Sequence, residues 1–321
     1  MNIRKNKPAV VTIGYSRCFT LEKSLERLAE CFGVNEHDCY LFLDAPYRAC
    51  DYEKCEKMAA VAETVRRKCI PQLKIIQRER NYGVPGNLIA AITETLKRYE
   101  SVVFFEDDVL VSRTFLKYMD HALDLYRNDD RIFCINGFKS PYLTIPKQYS
   151  FDVYLNPRNM AWGFGVWANR WNKVDFGMSD WGEFSKDSTN LAKLDYAGCD
   201  IKGLIESQLK GNVHTWDVQC SYHMVKNSLY AVEPRYSLTK NIGFGENGGV
   251  HCGRTDAVLS AMKYYNFLPD LPRSLDVSAT LLDRFKNSTM DFSIAGRVVR
   301  KLRRVVSLFG RCNNVPCEVK K

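Results

Sequence analysis

Long hydrophobic runs are missing from this sequence of 321 residues. No window approaches the roughly 18 consecutive apolar residues that a membrane-spanning helix needs. The first segment, MNIRKNKPAVV, lacks the apolar stretch of a signal peptide and passes directly into an apolar strand. We therefore expect a cytoplasmic protein without a spanning helix.

Cysteine and histidine motifs that bind zinc, and the glycine-rich loops that bind nucleotides after a first strand, are missing as well. The twelve cysteines are scattered, with no CxxC pair and no Cys/His spacing typical of a zinc site, so we expect reduced thiols. No GxGxxG follows the first predicted strand, where Gly14-Tyr15-Ser16-Arg17 stands, which disfavours a Rossmann oxidoreductase. The glycine-rich basic loop expected at the same place in a sugar-nucleotide nucleotidyltransferase is also missing.

The composition is otherwise that of an ordinary soluble globular protein, with 45% hydrophobic and 26% charged residues. The length allows one large domain, alone or with an appendage. The formal net charge of +9 is moderate, and much of it is local.

The most informative stretch is 102–109, VVFFEDDV. Its first four residues are β-branched or aromatic and predict a strand buried on both faces. Glu106, Asp107 and Asp108 follow without a turn, and three like charges at the end of a buried strand repel one another unless a cation holds them. Carboxylates are the ligands that Mg²⁺ and Mn²⁺ prefer. The sequence therefore predicts a metal and nucleotide site here, with an acidic surface junction as the alternative.

Around this stretch, apolar strands alternate with amphipathic helices. This order predicts βαβ units and an α/β fold with a doubly wound, mostly parallel sheet. The loop 81–87, with two glycines and a proline, separates the third strand from the third helix. The predicted strands are 9–13, 40–43, 73–76, 102–105 and 132–135, and the predicted helices are 21–32, 51–68, 88–99 and 115–126.

The composition and pattern of the sequence change after about Gly137. Residues 140–200 hold four of the five tryptophans in short irregular segments that also contain glycine. Such segments suit a groove for a flat polar ligand such as a sugar, and they suit a loop-rich core equally well. Helices are predicted over 200–209 and 216–226, a strand over 228–232, and a glycine-rich polar loop over 241–252.

Taken in this order, these features resemble the GT-A-type glycosyltransferases, which use nucleotide-sugars. The resemblance covers residues 8–255 and is closest to the inverting N-acetylglucosaminyltransferase that begins complex N-glycans and to related bacterial polysaccharide glycosyltransferases. In that group, too, a Glu-Asp-Asp triplet replaces the commoner Asp-x-Asp. The Trp-Gly-x-Gly segment at 162–165, Trp216-Asp217 and the late glycine-rich loop add to the likeness.

The resemblance implies a GT-A catalytic domain over 1–270, followed by a C-terminal tail over 271–321. Within the domain, residues 8–136 would form the nucleotide-sugar half and residues 137–270 the acceptor half.

The resemblance also implies the residues that bind the donor. Arg17 would lie near the nucleotide phosphates or base, and Asp44 would bind the base or its ribose. Glu106 and Asp107 would contact ribose and donor sugar, and Asp108 would ligate Mn²⁺ or Mg²⁺. Without the resemblance, Arg17 would be interpreted as an ordinary surface ion-pair partner, and Asp44 as a residue that caps a turn.

Further donor contacts are implied by the two glycine-containing loops. Tyr82 and Asn87 flank the first loop and would contact the base, although a structural turn explains them equally well. In the late loop, the backbone amides of Gly248 and Gly249 would face the diphosphate. His251 would add a metal or phosphate contact.

Asp217 matches the catalytic base of the resembled group. The group has two acids after the tryptophan, whereas Asp217 is followed here by Val218. A structural alternative exists, because Asp is favoured in the first turn of a helix for its interaction with the backbone N–H groups.

The implied activity is a metal-dependent, inverting hexosyl or N-acetylhexosaminyl transfer in polysaccharide or glycoconjugate synthesis. The donor would be a nucleotide-sugar, expected to be a UDP-sugar, and the acceptor a hydroxyl of a glycan or lipid-linked glycan. The alternatives are a non-catalytic nucleotide- or sugar-binding module and a sugar-nucleotide nucleotidyltransferase.

Within the tail, residues 294–309 predict a basic amphipathic helix. Val298, Leu302, Val305 and Phe309 share one face, with arginines and a lysine around it. Such a helix is typical of proteins that bind an anionic membrane surface, here the inner face of the plasma membrane, where each basic residue contributes about 1 kcal/mol. A helix docked on the catalytic domain is the alternative. Nucleic-acid binding is not expected, because no recognition motif accompanies the charges.

Removal of the chain beyond about residue 290 tests the membrane interpretation. We expect the truncated protein to lose its sedimentation with anionic vesicles, because the basic and apolar groups of 294–309 are gone. A truncated protein that is soluble and still binds these vesicles would contradict it.

Overall fold

The apolar and amphipathic segments of the first half form the predicted alternation of strands and helices. The protein is described here by a computed structural model that covers residues 7–244 and 257–286. The elements of this half are β1 Ala9–Gly14, α1 Cys18–Ala29, β2 Cys39–Leu43, α2 Tyr52–Lys68, β3 Leu73–Gln77, α3 Gly83–Leu96, β4 Ser101–Phe105, β5 Val109–Val111, α4 Phe115–Leu125 and β6 Ile132–Asn136.

The second half has shorter elements. They are β7 Val153–Asn156, β8 Phe164–Trp167, α5 Ala168–Trp171, α6 Trp181–Phe184, α7 Ser188–Tyr196, α8 Ile201–Leu209, α9 Asp217–Lys226, β9 Tyr230–Pro234, β10 Thr239–Asn241, α10 Ala257–Ser260 and α11 Ala279–Lys286.

Two predictions of local structure were wrong. The segment 83–87 is the first turn of α3 rather than a loop, since Pro85 lies at the third helical position, where its missing N–H breaks no helical hydrogen bond. The segment 164–167 is a buried strand rather than an irregular loop. Its preceding glycine, Gly163, has a φ of +92°, and a Cβ there would lie 2.9 Å from Cγ2 of Thr239.

Within the described residues, eight strands form one sheet in the order β3-β2-β1-β4-β8-β6-β9-β7. The four strands from β3 to β4 are parallel, and β6 and β9 are also parallel to each other. β8 is antiparallel to both neighbours, and β7 is antiparallel to β9. β5 pairs with β10 in a separate antiparallel ribbon. The predicted α/β class with a mostly parallel sheet is confirmed.

Helices pack on both faces of the sheet, as a doubly wound fold requires. Side chains of β4 alternate between the two cores, with Val103 and Phe105 on one face and Val102 and Phe104 on the other. The first face is covered by α1, α2 and α4, and the second by α3 and α9. The strand is fully buried, so its carboxyl end is fixed by packing on both sides.

The chain beyond residue 270 packs on the domain as far as it is described. Leu271 and Leu275 belong to the main core, and Leu281 and Phe285 form a cluster with Leu143 and Tyr154. The predicted boundary at residue 270 therefore does not separate residues 271–286 from the core. The predicted helix 294–309 lies outside the described residues. In the part of the chain that is described, no helix is long and apolar enough to cross a membrane.

A buried carboxyl group joins the last strands of the sheet. Glu233 in β9 is fully buried and accepts hydrogen bonds from the Tyr154 hydroxyl, from Asn156 Nδ2 at 2.6 Å and from Asn136 Nδ2 at 3.5 Å. Burial raises the pKa of Glu233 to about 7, against an ordinary value of 4.5. The three donors belong to β6 and β7, so this side chain ties three strands together at one end of the sheet.

The raised pKa of Glu233 makes stability depend on pH. Between pH 4.5 and about 7 the folded state holds a proton on this group that the unfolded state has released, so the free energy of unfolding falls as pH rises, by about 3 kcal/mol in all. In Glu233→Gln this component should vanish, which urea unfolding at several pH values measures. Glu56→Gln, on the exposed face of α2, is the matched control. Parallel pH curves for wild type and Glu233→Gln would contradict the assignment.

Candidate active site

The predicted acidic triplet lies at the carboxyl end of β4, in the tight connection to β5. The amide of Val109 donates to the carbonyl of Glu106 at 3.0 Å, which closes the turn. Asp107 and Asp108 are buried and Glu106 is partly buried. Ligands of open α/β sheets bind at this edge, outside the carboxyl ends of the strands. The triplet therefore lies at the carboxyl edge of the sheet, where the sequence predicted it.

Arg17, which follows β1, lies against the triplet. Its Nη1 donates to Asp108 Oδ2 at 2.7 Å, and its Nη2 donates to Asp107 Oδ1. Burial opposes the charge of the guanidinium, but Asp107 and Asp108 outweigh it and raise the pKa of Arg17. Burial also raises the pKa of Asp107, with Arg17 opposing the shift. The arginine is thus the cation that offsets the repulsion of two buried carboxylates.

The start of the late glycine-rich loop closes over Asp108. Asn241 Nδ2 donates to Asp108 Oδ1 at 3.0 Å, and the amide of Ile242 donates to the Asp108 carbonyl at 2.8 Å. A Cβ at Gly243 would lie 2.1 Å from Asp108 Oδ2 and 3.0 Å from Arg17 Nη1. The backbone can reach the carboxylate this closely only because residue 243 has no side chain. The predicted contacts of Gly248, Gly249 and His251 lie outside the described residues.

The predicted base, Asp217, is brought to the same edge by the tryptophan before it. Trp216 Nε1 donates to Glu106 Oε1 at 3.3 Å, and its ring lies nearly parallel to that of Phe164, with centroids 5.1 Å apart. Asp217 is the first residue of α9 and is partly buried. Burial raises the pKa of Glu106, and the charges of Asp108, Asp107 and Asp217 add to the shift. The fold therefore brings together the carboxyl groups of Glu106 and Asp217, which come from distant parts of the sequence.

Asp44 directly follows β2, Asn87 lies near the start of α3, and both side chains are buried. Asp44 Oδ1 accepts from the amides of Tyr82 at 2.9 Å and Ala45 at 3.0 Å. Asn87 Nδ2 donates to the Phe42 carbonyl at 3.1 Å, and Asn87 Oδ1 accepts from Arg78 Nε at 2.9 Å. In the structure Asp44 holds the backbone at Tyr82, and Asn87 connects α3 to β2 and to Arg78. Their contacts with a nucleotide base stay predictions.

Arg158 and Asp200 complete the surroundings of Asp217, and sequence reasoning missed both. The guanidinium of Arg158 binds the Asp200 carboxylate through two hydrogen bonds of 2.8 and 3.1 Å. Burial raises the pKa of Asp217, and the charge of Arg158 is the main opposing influence. Arg158 stands in an irregular loop with no motif around it, so only the three-dimensional arrangement reveals its proximity to the site.

The oxygen ligands at the end of β4 suit a hard divalent cation. Two buried carboxylates, Asp107 and Asp108, already converge on one positive group, and carboxylate oxygen is what Mn²⁺ and Mg²⁺ prefer. Among the described residues, no cluster of three or more His, Cys, Asp or Glu side chains is arranged around a single metal position. The Asp108 carboxylate already accepts one hydrogen bond on each oxygen, from Arg17 and from Asn241.

No protein-family model matches the sequence, and neither does any curated protein. Among solved structures, the chain is similar to residues 1–349 of TarS from S. aureus, with a TM-score of 0.42 and 14% identity over 74% of this chain and 60% of that one. It is similar to the mannosyltransferase PcManGT from Pyrobaculum calidifontis in complex with GDP-Man and Mn²⁺, with a TM-score of 0.36 and 15% identity over 53% and 46%.

The galactosyltransferase LgtC, in complex with donor and acceptor sugar analogs, gives a TM-score of 0.39 and 12% identity over 96% of this chain and 97% of that one. The chain spans less than two thirds of the matched TarS and mannosyltransferase chains. Glycosyltransferases are thus among the similar structures, as the resemblance in sequence implied. At TM-scores this low, the likeness by itself assigns neither an activity nor a substrate to this chain.

The ion pairs of Arg17 predict that its removal makes stability depend on divalent cations. Arg17→Met leaves two buried like charges without a counter-ion, which we expect to lower the free energy of unfolding by about 3 kcal/mol in EDTA. Mn²⁺ should restore part of this loss, as thermal unfolding with and without the metal will show. Arg27→Met, which removes the exposed ion pair with Glu30, is the control. An Arg17→Met protein that is as stable as wild type in EDTA would contradict the role of Arg17.

Proposed function

We propose that the protein is a metal-dependent, inverting glycosyltransferase that moves a sugar from a UDP-sugar to a hydroxyl of a glycan or lipid-linked glycan. The observation that carries this proposal is the arrangement of two carboxylate sites at one edge of the sheet. Asp107 and Asp108 share one cation, and Asp217 follows Trp216, whose indole N–H donates to Glu106 of the same triplet. The reaction needs one group for the leaving diphosphate and another for the acceptor, and this edge offers both.

The nucleotide-sugar donor would be bound by residues near the carboxyl ends of the first four strands. Bound to Asp108, Mn²⁺ or Mg²⁺ would neutralise charge that develops on the leaving diphosphate. Arg17, released from Asp108, would pair with the diphosphate, since guanidinium groups bind phosphate oxygens strongly. Glu106 and Asp107 would bind ribose and donor sugar. Asp44 would bind the base or its ribose, and Asn87 would contact the base.

The late loop completes this proposal for the donor. The backbone amides of Gly248 and Gly249 would face the diphosphate, and His251 would contact the metal or a phosphate. The described start of the loop supports this assignment, because Gly243 packs directly on Asp108. The described start of the loop is thus attached, through the amide of Ile242, to the backbone of Asp108.

Asp217 would act as the general base at the acceptor. Its carboxylate accepts the proton of the acceptor hydroxyl while the hydroxyl oxygen bonds to the anomeric carbon of the donor sugar. The bond between that carbon and the diphosphate oxygen breaks on the opposite face, which inverts the configuration. The leaving diphosphate needs no protonation by the protein. Positioning of the two reactants contributes on the order of 7–11 kcal/mol in favourable cases.

A non-catalytic binding module explains less of the structure. Such a module would need the donor carboxylates but would not need Asp217. Asp217 is held in a site where burial raises its pKa, and perturbed carboxyl groups of this kind cluster at catalytic sites. A lipid-linked acceptor and an anionic membrane surface would be the task of residues 294–309, with the protein at the inner face of the plasma membrane.

The first test is thermal unfolding with UDP and with GDP, each with and without Mn²⁺. A ligand at 100 times its Kd adds about 2.7 kcal/mol, so binding should be plain in the melting curve. We expect UDP to stabilise the protein only with Mn²⁺, and Asp108→Ala to abolish the shift. Asp217→Ala should keep the UDP shift and lose transfer activity. If neither nucleotide shifts the melt, the donor site at Glu106, Asp107 and Asp108 is refuted.

A further inference from the structure

The guanidinium of Arg17 is attached to charged groups alone in the part of the chain that the structure describes. Its Nη1 donates to Asp108 Oδ2 at 2.7 Å, and its Nη2 donates to Asp107 Oδ1. Among the described residues, it donates to no backbone carbonyl. The position of this guanidinium therefore depends on the charge of the two carboxylates.

A second buried arginine shows the contrast. The Nη2 of Arg170 donates to three backbone carbonyls at the carboxyl end of α4, over distances of 2.8 to 3.3 Å, and these belong to Tyr126, Arg127 and Asp129. Backbone carbonyls hold an arginine whatever ions are bound nearby. Because the guanidinium of Arg17 lacks such an attachment among the described residues, it can leave its partners without the loss of a backbone contact.

The backbone of Arg17 is held independently of its side chain. The Arg17 carbonyl accepts hydrogen bonds of 3.1 Å from the Leu21 amide and from the Thr20 hydroxyl, at the start of α1. The Arg17 side chain is 29% exposed, whereas those of Asp107 and Asp108 are 7% and 6% exposed. The arginine is thus the more exposed partner in both ion pairs, and rotation about its side-chain bonds can release it while α1 stays in place.

The same two carboxylates are the groups that would attract a divalent cation. A metal ion that arrives alone meets the positive charge of Arg17 in a poorly solvated site, and this repulsion opposes its binding. A metal ion that arrives with a diphosphate brings negative charge, and guanidinium groups bind phosphate oxygens strongly. Arg17 therefore opposes a free metal ion more than one that is bound to a diphosphate.

We propose that Arg17 is an exchangeable counter-ion that makes metal binding depend on the nucleotide. It holds Asp107 and Asp108 in the donor-free protein, weakens the binding of free divalent cations, and moves to the diphosphate when metal and nucleotide bind together. This inference rests on the proposed function for the identity of the donor, and it assigns to one residue the coupling between the two ligands. By linkage, each ligand strengthens the binding of the other by the same factor.

The first measurement is Mn²⁺ binding to the nucleotide-free protein, with the free ion quantified by electron paramagnetic resonance. We expect Arg17→Met to bind Mn²⁺ about tenfold more tightly than wild type, because the repulsion by the guanidinium is gone. Arg17→Lys keeps the positive charge and should stay close to wild type. Lys23→Met removes an exposed charge from the same helix, where Lys23 pairs with Glu26, and is the matched control.

The second measurement repeats the titration with saturating UDP. UDP should strengthen Mn²⁺ binding in both proteins, since its diphosphate also binds the metal, but by a factor about tenfold smaller in Arg17→Met than in wild type. Asp108→Asn added to Arg17→Met should abolish the tight binding, which locates the ion at that carboxylate. If Arg17→Met does not fold without metal, Arg17→Gln, which keeps a hydrogen-bond donor for one carboxylate, takes its place.

The outcomes distinguish this inference from the proposed function. Equal Mn²⁺ affinities of nucleotide-free wild type and Arg17→Met would overturn the role of Arg17, and stabilisation of wild type by UDP with Mn²⁺ would leave the proposed function standing. Tighter Mn²⁺ binding by Arg17→Met, in a protein that binds no UDP, would support the counter-ion role and overturn the proposed function. Tight binding by Arg17→Lys as well would attribute the effect to side-chain shape and contradict the inference. If no variant binds Mn²⁺ with or without UDP, both are refuted.

Discussion

The central constraint on the structure is the repulsion between two carboxylates at the end of a buried strand. Neighbouring residues must offset this repulsion. β4 is covered on both faces, so Asp107 and Asp108 cannot move apart into solvent, and Arg17 supplies the opposite charge. Because like charges in a low-dielectric site interact strongly, the neighbours of this pair are constrained. Ser24 donates to the Asp107 carbonyl, Asn241 donates to the Asp108 carboxylate, and Gly243 leaves room for Asp108 and Arg17.

The fold of the first half could be predicted because local patterns decide it. Strands such as β1 and β4 are continuous apolar runs, and α1 shows its buried leucines at helical spacing. The second half could not be predicted as well, since tertiary packing decides it. β8 is only four residues long and is defined by its pairing with β4 and β6, and by the glycine beside it that makes room for Thr239.

The same distinction applies to the site. The acidic triplet and Asp217 stand in recognisable sequence contexts, so their residues could be named in advance. Their proximity could not be derived from spacing, because it depends on the burial of Trp216 between Phe104 and Phe164. Arg158 and Glu233 have hydrogen-bond partners 42 and 77 residues away, and no local pattern marks them. Sequence periodicity predicts which face of a helix or strand is buried. A polar network between distant residues can be identified only in the folded structure.

The antiparallel strand β8 has a consequence for how such a chain can diversify. It is the strand that joins the parallel block β3-β2-β1-β4 to the block β6-β9-β7. Backbone hydrogen bonds from β8 connect the two blocks irrespective of their side chains, apart from Gly165, where a Cβ would lie 3.0 Å from Leu123. The two blocks also share both cores, since Val103 of β4 and Val232 of β9 lie in one core and Phe104 of β4 and Ala231 of β9 lie in the other. Diversification of one block is therefore limited by the packing that it shares with the other.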